Sequence, residues 1–429
     1  MTKAIAAQHR EVGPSAIVDR RFVVKREIAR GAMGVVVEAQ HRTLGTTFAI
    51  KTLTEHAQSW PGGQPRLMRE GRALARCVHP NIVGVVDAAV CDVHGPFLAL
   101  EMLQGRSLAS LLLARGRLTV AQTIRITEQL GAAVHHAHRM GVLHRDLKPA
   151  NVIVGRETNE AEDRLKLVDF GIATIPEEHD VARHKLTAIG ETLGTPEYMA
   201  PEHLVDSVPA TALSDVYSLG VVLYECLVGD VPYAGRPGVI FTSMISGIEP
   251  PPITGVRNDV PRKLEAAVLS ALARDPAARP ASIAELVQAC LAAVSDEPAP
   301  LDLRGPDLMG RAVVRVPYVA PVRLLDGTGN SDGRTEDISE GGLLLVADRA
   351  VDEGRSLQVK LPLPSSGRVA TIDAVVRWCR GQRGRTAVGL AFSAPTPEVV
   401  DDIRQYTRYM TSARDARART DWGGAQRRS

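Results

Sequence analysis

Within residues 144–151, HRDLKPAN, a carboxylate, an ammonium and a carboxamide (Asp146, Lys148 and Asn151) share one short stretch. Asp169 follows, at the head of Asp169-Phe170-Gly171. Asn151 and Asp169 both carry hard oxygen donors. Upstream, Lys51 ends the strand-like FAIK, and Glu70 lies in the helical RLMREGRALAR. Gly31 and Gly34 lie between two strand-like runs, where missing side chains allow a tight turn or a close backbone approach. A second set lies far downstream: Arg311 and Arg315, then Asp337-Ile338-Ser339-Glu340-Gly341-Gly342. Taken alone, the arginine pair is a solvated face; what lies on each side decides its meaning.

Elements must hold these residues in place. From Phe22 to about Val90 the text is strand-like, with FVVKREIA, GVVVEAQ and FAIKTL, interrupted by the helical QPRLMREGRALARCV. From Ser107 the pattern turns helical. TVAQTIRITEQLGAAVHHAHRMG spaces apolar residues three and four apart and ends in Gly141, a C-cap signal. SDVYSLGVVLYECLVG, RKLEAAVLSALA and SIAELVQACLAAV are further helices. SDEPAPLDLRGPD is a linker by composition, and beyond it the period becomes two, in SLQVKLPL, RVATIDAVVRWCR and TAVGLAFS.

Length and composition set the frame. A chain of 429 residues exceeds one compact core, so two or three domains are expected. Hydrophobic content of 45% and charged content of 23% are ordinary for a soluble globular protein, and a net charge of +2 does not suggest a nucleic-acid binder. Aromatic residues make up only 4%, so Ala, Val and Leu must build the cores. The cysteines, Cys77, Cys91, Cys226, Cys290 and Cys379, are scattered, odd in number and without metal-ligand spacing, which predicts a reduced, cytoplasmic chain. MTKAIAAQHREVGPS lacks the apolar run of a signal peptide, and LGVVLYECLVG is far short of the ~20 residues a membrane span needs.

HRDLKPAN resembles the catalytic loop of eukaryotic-type protein kinases, and the rest of that family's pattern follows in order. Lys51, Glu70, DFG at 169–171, GTPEYMAPE at 194–202, SDVYSLG with Asp215 and Gly220, and RDPAARP with Arg279 all match, over residues 22 to 293. The resemblance implies a bilobal α+β kinase fold that transfers phosphate from ATP with Mg2+ to Ser or Thr of protein substrates. Phosphoryl transfer passes through a loose, highly charged transition state, so positioning and charge neutralisation dominate. By resemblance, Lys51 holds the α- and β-phosphates and pairs with Glu70. Asn151 and Asp169 hold Mg2+, Asp146 accepts the substrate hydroxyl proton, and Lys148 reaches the γ-phosphate. Lys148 is typical of Ser/Thr rather than Tyr kinases, and Thr195 resembles the residue that supports that selection. The ATP site implied is Gly31, Gly34, Val36, Ala49, Lys51, Glu101 and Leu103. The glycine loop departs from the pattern: Ala29 stands in place of its first glycine, and ATP binding is expected to survive. Arg145 before Asp146 implies control by a phosphorylated activation loop, for which Thr187 and Thr192 are candidates. Glu202 and Arg279 are expected as a buried structural ion pair, ETNEAED as an exposed hairpin tip, and His135, His136 and His138 as surface or packed histidines.

Arg311 and Arg315, VPYVAPVRLL, the D-x-S-x-x-G of Asp337, Ser339 and Gly342, and the closing strands together resemble the PilZ domain, over about residues 310 to 405. The resemblance implies a small β-barrel that binds cyclic di-GMP. Arginine suits that ligand: its planar fork bridges phosphates, pairs with guanine O6 and N7, and stacks on bases. Asp337 accepts from a guanine edge or orients an arginine, Ser339 donates to phosphate or base, and Gly342 lets the backbone turn beside the ligand. Arg377, Arg380, Arg383 and Arg385 are expected as solvated strand and hairpin charges.

The expected architecture is a flexible arm (1–20), a kinase domain (21–293), a linker (294–309), an all-β PilZ barrel (310–405) and an Arg-rich tail (406–429). The expected function is a Ser/Thr protein kinase regulated or localised by cyclic di-GMP, with no membrane span and no nucleic-acid partner. The alternative is a catalytically weak kinase-fold scaffold whose docking the same nucleotide controls, a reading for which Ala29 is the only sequence support.

Overall fold

A computed structural model describes residues 13, 15–31, 33–60, 62–155, 163–170, 196–205, 210–235, 237–294, 316–318, 320–325, 330–347, 349, 351–382 and 385–408. The chain divides into two compact units, the first made mainly of residues up to Leu301 and the second mainly of residues from Asp302.

The first unit opens with β1 (Ile17–Val18), β2 (Phe22–Arg30), β3 (Gly34–His41) and β4 (Thr47–Leu53). The short helix α1 (Glu55–Gln58) and then α2 (Gly63–Arg76) come before β5 (Val85–Cys91) and β6 (Gly95–Glu101). The six strands form one antiparallel sheet in the order β1-β2-β3-β4-β6-β5. β-Branched residues are frequent in β2 to β5, while β6 is apolar and buried on both faces, and the sheet's inward face builds a core of Phe22, Val24, Val35, Val37, Ile50 and Phe97. The sequence reading assigned residues 17–18 to the loose arm; they form β1 instead, and Ser15 donates its N–H to Val24 O at 3.1 Å. Helix α2 buries Arg66, Leu67, Glu70, Gly71, Ala73 and Leu74, an i, i+3/i+4, i+7 face. Gly71 permits this packing, because a Cβ there would lie 2.6 Å from Leu98 Cδ2 on β6. Glu70 is thereby carried to the inner side of the sheet.

A small sheet of β7 (Arg106–Ser107), β8 (Val152–Gly155) and β9 (Arg164–Leu167) follows in order β7-β8-β9. The helices are α3 (Leu108–Arg115), α4 (Val120–Arg139), α5 (Glu202–Val205), α6 (Ala212–Val228), α7 (Pro237–Ile245), α8 (Arg262–Ala271) and α9 (Ile283–Ala292). A capping box starts α4: Gln122 N–H donates to Thr119 Oγ1 and Thr119 N–H to Gln122 Oε1, at 3.1 and 3.0 Å. The expected Gly141 cap is present, with φ 71° and its N–H donating to His138 O. Helix α6 is apolar nearly all round and almost wholly buried, ending at Gly229 with φ 91°. Pairing of Gly155 with Arg164 makes β8 and β9 a hairpin; the residues 156–162 between them lie outside the described residues.

The second unit contains β10 (Val316–Pro317), β11 (Pro321–Leu325), β12 (Asn330–Ser339), β13 (Gly342–Ala347), β14 (Ser356–Pro362), β15 (Val369–Gln382) and β16 (Arg385–Phe392). Antiparallel pairing runs β12-β11-β14-β15-β16-β13, and β13 pairs back onto β12, closing a six-stranded barrel. Alternation fills its interior with Val322, Leu324, Ile338, Leu345, Val359, Ile372, Val388 and Leu390. A last helix, α10, spans 397–408, and Val399, Ile403 and Tyr406 join that core. Tyr406, at which the sequence reading begins a tail, is therefore buried on this helix. Among the described residues no helix is long and apolar enough to cross a membrane.

Candidate active site

Four elements bring the first set of residues together. Val36 on β3 pairs with Lys51 on β4, and Ala49 lies two residues before Lys51, so all three face alike. Lys51 Nζ donates to Glu70 Oε1 at 2.7 Å and to Asp169 Oδ1 at 2.9 Å. Glu70 is 1% exposed and Lys51 15%, while Asp169 is open at 44%. Burial works against the Lys51 ammonium, but Asp169 and Glu70 together raise its pKa well above the ordinary value. Burial raises the Glu70 pKa despite Lys51, and the lysine charge lowers that of Asp169. Asp169 is in the left-handed region at φ 56°, a strained conformation for a non-glycine residue.

The loop between α4 and β8 holds the other charges. Lys148 Nζ donates to both carboxylate oxygens of Asp146, at 2.9 and 2.8 Å. Asn151 Nδ2 donates to Asp146 O at 2.8 Å and Oδ2 at 3.0 Å, which fixes its amide. No donor among the described residues reaches Asn151 Oδ1 or Asp169 Oδ2. These two hard oxygens suit a Mg2+ ion, so the donor set fits the metal that the sequence implies.

A hub beneath this loop escaped the sequence reading. Asp215, 1% exposed on α6, accepts the backbone N–H groups of His144 and Arg145, both at 2.9 Å, and bonds His138 Nε2 at 2.7 Å. Burial alone raises a carboxylate pKa, but these bonds reverse that and hold Asp215 below its ordinary value. Arg145, at φ 67°, is thus pinned in a left-handed conformation. His144 is buried, its pKa lowered by desolvation, and Nε2–H donates to Val168 O at 3.1 Å. His138, expected only as a surface or packed residue, belongs to this hub. The available signal was the carboxylate of Asp215 within a mostly apolar helical stretch, which must be paired if buried.

The remaining predicted ATP-site residues lie along the sheet edge of the cleft. Gly31 N–H donates to Gly34 O at 2.8 Å, a tight turn between β2 and β3. Ala29 pairs in register with Val36, so strand geometry absorbs the methyl group where the family has glycine. Glu101 ends β6; its Oε1 accepts from Lys166 Nζ and Gly84 N–H, both at 2.7 Å, and its own N–H donates to Gly84 O at 3.0 Å. Leu103 follows it, half-buried. Glu202 and Arg279 form the expected buried pair, at 2.7 Å with Arg279 fully covered. A cavity of about 470 Å3 beside the catalytic loop is lined by Arg69, Arg72 and Arg76 of α2 together with Arg145. Gly171, Thr187, Thr192, Gly194 and Thr195 lie outside the described residues.

In the barrel, Asp337 and Ser339 end β12, 6% and 2% exposed. Ser339 Oγ donates its one hydrogen to Gly342 O at 3.1 Å, so giving that hydrogen to a ligand requires breaking this bond. Gly342 is needed for close approach rather than for the turn: a Cβ would lie 2.1 Å from Leu390 O on β16. Arg377 is exposed on β15, as expected; nothing is described of the side chains of Arg380, Arg383 and Arg385. Arg311 and Arg315 lie outside the described residues.

Comparison with known proteins identifies both domains. A family model for the protein kinase domain matches residues 22–292, and one for the PilZ domain matches residues 310–409. The serine/threonine-protein kinase PknH of Mycobacterium bovis is 36% identical over 276 residues, 64% of this chain and 44% of that protein. The serine/threonine-protein kinase pkn3 of Myxococcus xanthus is 36% identical over 284 residues, 66% of this chain and 51% of that protein. The chain thus spans about half the length of these curated relatives. The PknI kinase domain of Mycobacterium tuberculosis has a similar structure, with a TM-score of 0.51 and 25% identity over 66% of this chain and 100% of that one.

Proposed function

The chain belongs to the protein kinase family, and on that premise we propose that it transfers the γ-phosphoryl group of ATP to Ser or Thr hydroxyls of proteins, under the control of cyclic di-GMP. The observation that carries the enzyme reading is the assembled charge set: Lys51 on Glu70 and Asp169, with Lys148 and Asn151 on Asp146. A degraded kinase fold has no need to keep every one of these pairings.

Lys51, held by Glu70, orients the α- and β-phosphates. Asn151 Oδ1 and Asp169 are the Mg2+ ligands, and when bound the ion supplies neutralisation of phosphate charge. Asp146 lies within reach of the incoming hydroxyl and accepts its proton as that oxygen bonds to phosphorus and the bond to the ADP oxygen breaks. Lys148 Nζ gives two of its three hydrogens to Asp146, and the third is left to meet the γ-phosphate. The backbone at Gly31 and Gly34 covers the phosphates, and Val36, Ala49, Glu101 and Leu103 line the adenine side. The cleft of Arg69, Arg72, Arg76 and Arg145 is a place for phosphate on the activation loop, which puts Arg145 under that loop's control.

Arg311, Arg315, Asp337, Ser339 and Gly342 form the cyclic di-GMP site; the expected domains, 21–293 and 310–405 with the linker 294–309, extend to include β1 at the start of the first and the whole of α10, to residue 408, at the end of the second. The setting is cytoplasmic. The test is the initial rate of phosphate transfer to a generic Ser/Thr substrate, with and without cyclic di-GMP, in the wild type and in Asp146→Asn and Arg315→Ala. Expected are transfer by the wild type, none by Asp146→Asn, and a nucleotide effect that Arg315→Ala removes. No transfer by the wild type in either condition moves the assignment to a scaffold. A real rate that the nucleotide leaves unchanged makes the barrel a docking module.

A further inference from the structure

We propose that Arg404, on α10 and outside both halves of the nucleotide motif, is the positioning residue for the ligand-binding turn; this rests on reading the barrel as a cyclic di-GMP site. Ser339 pairs with Gly342 across a turn of two residues, Glu340 and Gly341. Phe392 N–H holds that turn from β16 by donating to Gly341 O at 3.0 Å. Arg404 holds its side chain: Nε donates to Glu340 Oε1 at 3.2 Å and Nη2 to Oε2 at 2.9 Å, a forked two-bond grip. Nη1 donates to Asp401 Oδ1 at 2.9 Å, so the guanidinium is already aimed.

The base from which Arg404 reaches is fixed. Val399, Ile403 and Tyr406 are buried in the barrel core, with Ile403 fully covered. Asp402 accepts the N–H groups of Ser365 and Ser366, at 2.8 and 3.0 Å, tying the helix to a second turn. Between a helix anchored in the core and an exposed two-residue turn, the turn is the member that is held. The same helix also packs on the strand segment 316–318: Tyr406 stands edge-on against Tyr318, centroids 5.6 Å apart. Charge gives Arg404 a second effect. Glu340 adjoins Ser339, and an uncompensated carboxylate there repels a ligand that carries two phosphodiesters; Arg404 cancels it.

The test uses the full chain. Affinity for cyclic di-GMP is measured by calorimetry in the wild type, Arg404→Gln, Arg404→Lys and Glu340→Gln, and amide exchange is followed in peptides covering 339–345 and 397–408 without ligand. The pair is half-exposed, so the expected loss in Arg404→Gln is about fivefold, the upper end for such a pair. Arg404→Lys, which keeps charge but not the fork, should lose less. Glu340→Gln, which removes the repelling charge with the grip, should lose least. Exchange at 339–345 should quicken in Arg404→Gln while protection of 397–408 stays unchanged. Unaltered affinity with unaltered turn exchange overturns the proposal, and so does an affinity loss accompanied by lost helix protection, which marks a merely structural role. If the wild type binds no cyclic di-GMP, the nucleotide reading fails and the ligand half fails with it. The exchange result then decides alone whether Arg404 holds the turn.

Discussion

Replacing Lys51 with methionine isolates the energetics of the buried charge set. Glu70 is 1% exposed and has Lys51 as its cation, whereas Asp169 is open to water. Without the ammonium, an ionised Glu70 is a buried uncompensated charge, and the carboxylate escapes by taking a proton. Holding a proton at pH 7 on a group whose ordinary pKa is about 4.3 costs at most about 3.7 kcal/mol. That figure is the ceiling on the penalty from Glu70. Its sign with pH is set by linkage. The folded variant binds a proton that its unfolded chain releases above about pH 4.3, so its stability falls as pH rises by up to ~1.4 kcal/mol per unit. The penalty relative to the wild type is therefore largest at pH 7 to 8 and shrinks towards pH 5. The double variant Lys51→Met, Glu70→Gln should recover most of it, because neither buried charge remains. The assay is urea unfolding read by amide exchange in the α2 peptide 63–76, which reports this part of the chain alone, with phosphate transfer abolished in parallel. A penalty equal at pH 5 and pH 8, or a double variant no better than the single, would refute the reasoning.

Further outcomes follow from the same geometry. Asp215→Asn keeps the size but turns one acceptor into a donor facing a backbone N–H, at about 1.5–3 kcal/mol per lost bond to a charged group; phosphate transfer should fall about tenfold or more with the KM for ATP little changed, and an unchanged kcat contradicts the hub. Arg72→Ala with Arg76→Ala should slow autophosphorylated protein towards the rate of phosphatase-treated protein and leave the treated form unaffected; equal slowing of both forms excludes a phosphate site in that cleft. Burial raises the Cys226 pKa far above its ordinary value and that of Cys290 to about 12. Half-exposed Cys379 should therefore be alkylated first at pH 8, and early labelling of Cys290 contradicts its packing.

The sequence exposed the parts of this molecule whose pattern is local. Strands β2 and β3 are rich in Val and β4 carries Thr and Ile, α2 carries its apolar face at helical spacing, and the motif residues stand at fixed distances along the chain. What it hid depends on tertiary partners. The polar text NSDGRTEDIS looks like loop, yet it is strand β12, with Thr335 fully buried. Thr335 Oγ1 donates to Tyr318 O and accepts from Ala320 N–H, so a polar side chain is satisfied inside a sheet. His138 and Asp215 are far apart in sequence, and only folding makes them a pair. Helix α10 carries a start signal in Thr396-Pro397-Glu398, but its apolar residues match the barrel rather than any neighbour in the chain, so the domain end was drawn through it.

Closure of the six strands through β12 and β13 has a consequence for recognition. A sheet edge offers unpaired N–H and C=O groups on which a foreign strand can grow, and a closed barrel removes that invitation. Proteins that meet the six closed strands therefore do so through side chains, turns or α10; among the described residues only the two-residue β10, paired with β12, lies outside that ring. The first unit differs: β5 ends its sheet, with Val86 and Val90 exposed on it. The outer edge of β5 is thus a place where a partner strand can add, or aggregation begin.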